Sequence, residues 1–125
     1  MKYKSTIRIF LSLLVFVLFS TSTFANKTSV KITAPKKAKA GSEVTIKIEV
    51  SHKGNSTRHY TNEVIVKVNG KEFKQWEYTK SDLPKGQKFT LEFKIKVESE
   101  LEIEVEGNCN KHGSKGSEKA IIKVE

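Results

Sequence analysis

Phe89-Thr90-Leu91-Glu92-Phe93-Lys94-Ile95-Lys96-Val97 is the cleanest alternation in the chain. Apolar residues take every second position, so an extended segment here turns one face to a core and the other to water. The same period organises the neighbouring segments. Val44, Ile46, Ile48 and Val50 alternate with Thr45, Lys47 and Glu49, and His52 continues their inward phase. Leu101, Ile103 and Val105 carry Glu100, Glu102, Glu104 and Glu106 on the opposite, solvent face, and Cys109 falls in phase with the inward row. Val64, Val66 and Val68 run into Asn69-Gly70, the strongest hairpin signal of the sequence. The returning strand holds Phe73, Trp76 and Tyr78. Phe73 and Trp76 are out of phase with each other, which predicts a bulge between them.

The remaining apolar alternations are Val30, Ile32 and Ala34 before Pro35, and Ala120 to Val124 near the end. Lys36 to Gly41 reads as a basic turn, and Ser81 to Gly86 as a connecting loop. Trp76, Tyr78 and the phenylalanines read as core. No segment sustains a 3.6-residue period, and no internal repeat is visible. About seven short strands at regular spacing predict an all-β chain folded as an immunoglobulin-like β-sandwich, with a small closed barrel as the alternative.

The first 25 residues stand apart from this pattern. Lys2, Lys4 and Arg8 precede an eleven-residue apolar run from Ile9 to Phe19 that only Ser12 interrupts, and Thr23-Phe24-Ala25 offers small residues at a cleavage site. That is the layout of a secretory signal peptide, and the run is shorter than the roughly 20 residues a spanning helix needs. The expected mature domain is residues 26–125, exported to the periplasm or secreted, with membrane association only through the leader. Loss of the three basic leader residues lowers the net charge from +9 to +6. The lysines are spread along every strand and do not interleave with aromatic residues, which argues against nucleic acid as a partner.

Chemistry concentrates in Cys109-Asn110-Lys111-His112-Gly113, a turn expected between Gly107 and Gly113. It holds the one cysteine of the sequence and one of its three histidines; His52 and His59 form a second cluster. A single cysteine cannot form an internal disulfide, and a free thiol in an oxidising compartment is a liability unless shielded or occupied. Thiolate and imidazole together suit iron, copper or zinc. His52 and Cys109 both extend inward-facing rows, so a shared rim of the sandwich would bring them together.

These residues resemble a family. Cys109-Asn110-Lys111-His112-Gly113 is similar to the Cys-Asn-x-His-Gly motif of the superoxide reductases, the desulfoferrodoxin and neelaredoxin iron proteins. His52, a turn and His59-Tyr60 are similar to that family's paired-histidine segment. Ala34-Pro35 through Gly41-Ser42-Glu43, followed by Val44 to Ile48, resembles the stretch preceding it, and Asn69-Gly70-Lys71 falls at a similar hairpin. The resemblance implies an immunoglobulin-like sandwich carrying a mononuclear iron with equatorial histidines and an axial cysteine. It also implies reduction of superoxide to hydrogen peroxide, with electrons from a donor protein the sequence does not identify. Carried over residue by residue, it makes His52, His59 and His112 equatorial ligands, Cys109 the axial ligand, and Lys27 the group that attracts superoxide.

The chain departs from the family at several points. No histidine fills the family's first ligand position, where Thr28 stands; Asn26 stands in place of its glutamate. The His52–His59 spacing is one residue longer, the tryptophan after the paired histidines is missing, and so is the N-terminal four-cysteine module. Two other functions fit the same residues. Two histidines and a cysteine on a β-sandwich also describe a blue-copper electron carrier, although Met1, the lone methionine, leaves with the leader and cannot serve as axial ligand. The third is a non-catalytic immunoglobulin-like binding module with a degenerate metal site.

Overall fold

The computed structural model describes residues 27–125. The leader expected over 1–25, its cleavage junction and Asn26 lie outside the described residues. The domain is built entirely of strands: β1 (Ser29–Thr33), β2 (Lys37–Ala38), β3 (Ser42–Ser51), β4 (Thr61–Val68), β5 (Lys71–Glu77), β6 (Lys88–Val97), β7 (Leu101–Cys109) and β8 (Glu118–Val124). They form two sheets, one of order β1-β3-β6 and one of order β2-β8-β7-β4-β5. This is the expected sandwich.

The alternating rows become its filling. Ile46, Ile48 and Val50 of β3, and Phe93, Ile95 and Val97 of β6, are buried against Val64 and Val66 of β4, Ile103 and Val105 of β7, and Ile122 of β8. Strands β3 and β6 pair antiparallel in unbroken register from Ser42↔Val97 to Ser51↔Lys88. Side chains of period two on paired strands therefore stay on one face throughout, which fixes the register. The charged outer faces contribute exposed ion pairs such as Lys47–Glu92 at 3.7 Å and Lys119–Glu102 at 3.5 Å, each worth about 0–1 kcal/mol.

Three details differ from expectation. The basic segment after Pro35 is not simply a turn: Lys37 and Ala38 pair in parallel with Lys123 and Val124, which adds an eighth, two-residue strand. Ala38 tucks inward while Lys37 stays out, and two residues are too few to show a period. Phe73 is not core but 47% exposed. The register between β4 and β5 shifts between Val66 and Lys67, leaving Phe73 as the extra residue on an edge strand. Its ring still lies 5.6 Å from Phe93, and together with Trp76–Phe93 (6.4 Å) and Tyr78–Phe89 (5.6 Å) it links the β5 edge to the β6 edge. Burial, with the Asp82 carboxylate acting in the same direction, raises the Tyr78 hydroxyl above its usual range.

The third difference concerns Gly107. It does not open the cysteine turn but lies inside β7, buried. A Cβ there would stand 2.6 Å from Thr28 Cγ2 and 3.1 Å from Val30 Cγ1. Glycine is needed because the start of β1 crosses directly over this point of the opposite sheet. That crossing brings Thr28 down beside the end of β7.

Candidate metal centre

His52 follows the last residue of β3 and keeps its inward phase, so it is 2% exposed. Its backbone N–H donates to Gln87 O at 2.8 Å, extending the β3–β6 ladder by one step. The ring is oriented by Asn55. Asn55 Nδ2 donates to Gly86 O at 2.6 Å, which identifies Oδ1 as the acceptor facing inward. Oδ1 then accepts from Thr61 N at 2.9 Å and from His52 Nδ1 at 3.0 Å. A neutral His52 ring held this way carries its proton on Nδ1 and turns the Nε2 lone pair toward His59, whose Nε2 is 3.2 Å away.

His59 is placed by a tight turn in which Ser56 N donates to His59 O at 2.8 Å and His59 N to Ser56 O at 3.2 Å. Cys109 ends β7 directly opposite Thr61 of β4. The register shift between Thr61 and Glu63, with Asn62 as the extra residue, places a bulge beside the site. After Cys109 the chain reverses at once. Cys109 N donates to Gly113 O at 2.9 Å and Gly113 N to Cys109 O at 3.1 Å. Gly113 has φ +72°, the left-handed conformation this reversal requires.

Asn110 fastens the two histidine and cysteine segments together. Its Oδ1 accepts from Tyr60 N at 3.0 Å, its Nδ2 donates to Arg58 O at 3.3 Å, and its backbone N donates to Tyr60 O at 3.0 Å.

The result is a convergence of groups from both sheets. One donor atom each from His52, His59 and Cys109 lie within 4.8 Å of one another. Two adjacent ligands of one ion, bonded at about 2.0–2.3 Å, stand about 3–3.5 Å apart, so the widest pair of this trio must close by up to about 1–2 Å to hold a metal. The 3.2 Å between the two Nε2 atoms already fits two adjacent ligands. Cys109 is 5% exposed, and its Sγ accepts Lys111 N–H at 3.4 Å, a hydrogen bond that a metal-bound sulfur can also accept.

His112 is exposed on the cysteine turn and lies outside this trio; its ring centroid is 4.8 Å from that of His59, edge-on at 82°. Lys27 is half-buried at the start of the described chain and lines a depression shared with His52, not the donor cluster itself.

Thr28 is wholly buried. Its N–H donates to Gly113 O at 3.4 Å, its carbonyl accepts Lys115 N at 2.9 Å, and its hydroxyl lies 3.0 Å from that of Thr61. Its side chain is therefore engaged with a second threonine. The orienting roles of Asn55 and Asn110 and the Thr28–Thr61 pair were not read from the sequence. Asn110 sat within the cysteine motif, but Asn55 looked like an ordinary turn residue.

The desulfoferrodoxin family profile matches residues 20–116. No curated protein sequence matches the chain. Among solved structures, the superoxide reductase (neelaredoxin) from Ignicoccus hospitalis superposes with a TM-score of 0.67 at 20% identity, covering 81% of this chain and 84% of that one. A candidate superoxide reductase from Thermotoga maritima gives 0.58 at 21% identity over 77% and 85%. The fibronectin(III)-like modules of Clostridium thermocellum CbhA give 0.55 at 21% identity, over 80% of this chain and 47% of that one. At these identities the superpositions establish a shared fold.

Proposed function

This chain belongs to the desulfoferrodoxin family, and from that premise we propose that it is an exported, mononuclear iron protein that reduces superoxide to hydrogen peroxide. One observation carries the reading: His52 and His59, from the loop after β3, meet Cys109 of the opposite sheet with donor atoms inside 4.8 Å. Two imidazoles and a thiolate suit iron in its ferrous and ferric states. His52, His59 and Cys109 would hold the ion, with His112 joining from the turn beside His59.

Bound iron would supply a one-electron reductant. The chain's own residues do the rest. Asn55 fixes the His52 tautomer, burial keeps water from the Cys109 sulfur, and Lys27 adds positive charge at the approach of the anion. Thr28, which stands at the family's first ligand position, is buried and hydrogen-bonded to Thr61, so that position would contribute no imidazole to the ion. Residues 1–25 act as the export leader and 26–125 as the mature domain.

The trio His52, His59 and Cys109 is also the donor set of a trigonal copper site, which supports a second reading as a copper electron carrier. Product stoichiometry tests the superoxide-reducing reading by separating reduction from dismutation. Reduction consumes one electron and two protons per superoxide and yields one peroxide, whereas dismutation yields one peroxide from two superoxides. The iron-loaded protein is expected to give a peroxide-to-superoxide ratio near one in the presence of a reductant. His112→Ala should slow it by about tenfold, the low end of what losing a supporting group costs a metal site. Equal rates in wild type, Cys109→Ser and His112→Ala would show that the activity does not belong to this site.

A further inference from the structure

Strand β8 is paired along most of its length on one side only. β7 runs beside it from Glu118 to Ile122, while β2 covers its other side at Lys123 and Val124 alone. Two bonds fix the direction of the uncovered backbone groups: Lys123 N donates to Lys36 O and Glu125 N to Ala38 O, each at 2.9 Å. Successive residues of a strand turn their N–H and C=O groups to opposite sides, so Ile121 and Lys119 turn theirs the same way as Lys123. Among the described residues no strand lies there to receive them. The chain that could have lengthened β2 comes instead from β1 of the opposite sheet, through Ala34-Pro35-Lys36, and Pro35 has no N–H to give.

A groove of about 510 Å³ lies beside this edge. Ile32 and Ala34 wall it from the β1 side, Ala120 and Ile121 from β8, and Lys36, Lys37 and Lys123 close it, with no carboxylate in the lining. Glu125 follows the end of β8, but its side chain does not line the groove. Free edges are ordinarily blunted by charge. Here Lys119 is engaged by Glu102 at 3.5 Å and Glu104 at 3.7 Å, and the next outward residue, Ile121, is 52% exposed. Among the described residues Lys36, Lys37 and Lys123 form no ion pair. An unpaired backbone edge, an exposed isoleucine and three uncompensated ammonium groups thus share one groove.

We propose that this groove is a strand-acceptor site, in which an extended, acidic segment of a partner protein adds to the free edge of β8. Main-chain bonds to Ile121 and Lys119 hold the segment, and every second side chain enters the groove. Those inward positions meet Ile32, Ala34 and Ala120, a lining that suits small or branched apolar side chains. Carboxylates on the segment meet Lys36, Lys37 and Lys123, and this charge match sets the sign of the partner. The surface uses none of the metal donors, so the partner is held whether or not the metal centre turns over.

The probe is a capped peptide of alternating valine and glutamate, N-methylated at every second residue so that it offers one bonding edge and cannot stack on itself. With the peptide at about ten times its half-saturating concentration, hydrogen exchange at the Ile121 and Lys119 amides should slow about tenfold. A peptide with lysine in place of glutamate, or one methylated at every nitrogen, should leave both amides unchanged. Lys36→Glu/Lys37→Glu, on two exposed side chains, should weaken binding about tenfold or more without altering the edge. Ile121→Pro removes an outward N–H and should abolish binding, with protection of the Ile122 amide, which faces β7, reporting that the strand persists. If that variant fails to fold, the lysine pair decides. Unchanged exchange at millimolar peptide, protection along the β5 or β6 edge instead, or equal binding of the lysine peptide would overturn the proposal. So would slowed exchange that follows protein concentration with no peptide present, which would assign the edge to a second copy of the chain.

Discussion

Cys109→Ser is expected to abolish the thiolate-to-metal absorption of the iron-loaded protein and to lower superoxide reduction by about a hundredfold or more, at or beyond the upper end of what loss of a supporting group costs a metal site. Serine nearly matches cysteine in size. The backbone bonds from Cys109 to Gly113 do not involve the side chain, so the turn should persist. What changes is the donor: a hydroxyl is not ionised near neutral pH and gives oxygen where the site offers soft sulfur. Cys109 is 5% exposed and its sulfur forms no disulfide, so loss of the sulfur should cost little stability beyond a small cavity. Absorption spectra and stopped-flow superoxide consumption, with a urea titration to confirm the fold, measure all three. An unchanged absorption band would place the metal elsewhere.

Asn55→Ala should act without touching any donor atom. Asn55 Oδ1 is shared by Thr61 N and His52 Nδ1, and its amide is given to Gly86 O. Removal leaves the N–H of a fully buried residue without this partner, a loss of about 1–3 kcal/mol. It also removes the Nδ1 acceptor that favours the tautomer with the Nε2 lone pair facing His59. Outer groups that orient metal-bound histidines are typically worth about 10–100-fold in affinity, and a loss in that range is expected by chelator competition. Asn55→Asp keeps the two acceptor contacts and should recover most of the affinity, although it gives up the bond to Gly86. Affinity equal to wild type in Asn55→Ala would mean that the His52 orientation is set by something else.

Much of the architecture was legible because period-two alternation is a geometric statement about faces. The row Val44 to Val50 leads directly to an inward His52, and the row Leu101 to Val105 to an inward Cys109, as their burial shows. The bulge near Phe73 was legible from a break in phase, but the direction of its side chain was not, since an edge strand leaves the extra residue free to face water. Lys37–Ala38 is too short to carry a period and depends on β8, which lies far along the chain. The meeting of His52 and Cys109 depends on how the two sheets align, and no local pattern encodes that. The thiolate–imidazole spacing of the cysteine turn made His112 a candidate and the resemblance supplied Lys27; alternation alone does not reach either, because one sits on an exposed turn and the other before the first strand. Asn55 was hidden because a side chain that bonds three segments looks, in sequence, like any turn asparagine.

The central claim is that His52, His59 and Cys109 bind one metal ion, and X-ray absorption at the iron edge of the loaded protein tests it most directly. The account predicts one sulfur scatterer at about 2.3 Å together with the multiple-scattering signature of at least two imidazoles at about 2.0–2.1 Å, with the sulfur shell absent in Cys109→Ser. A first shell of oxygen and nitrogen alone, identical in wild type and Cys109→Ser, would contradict it.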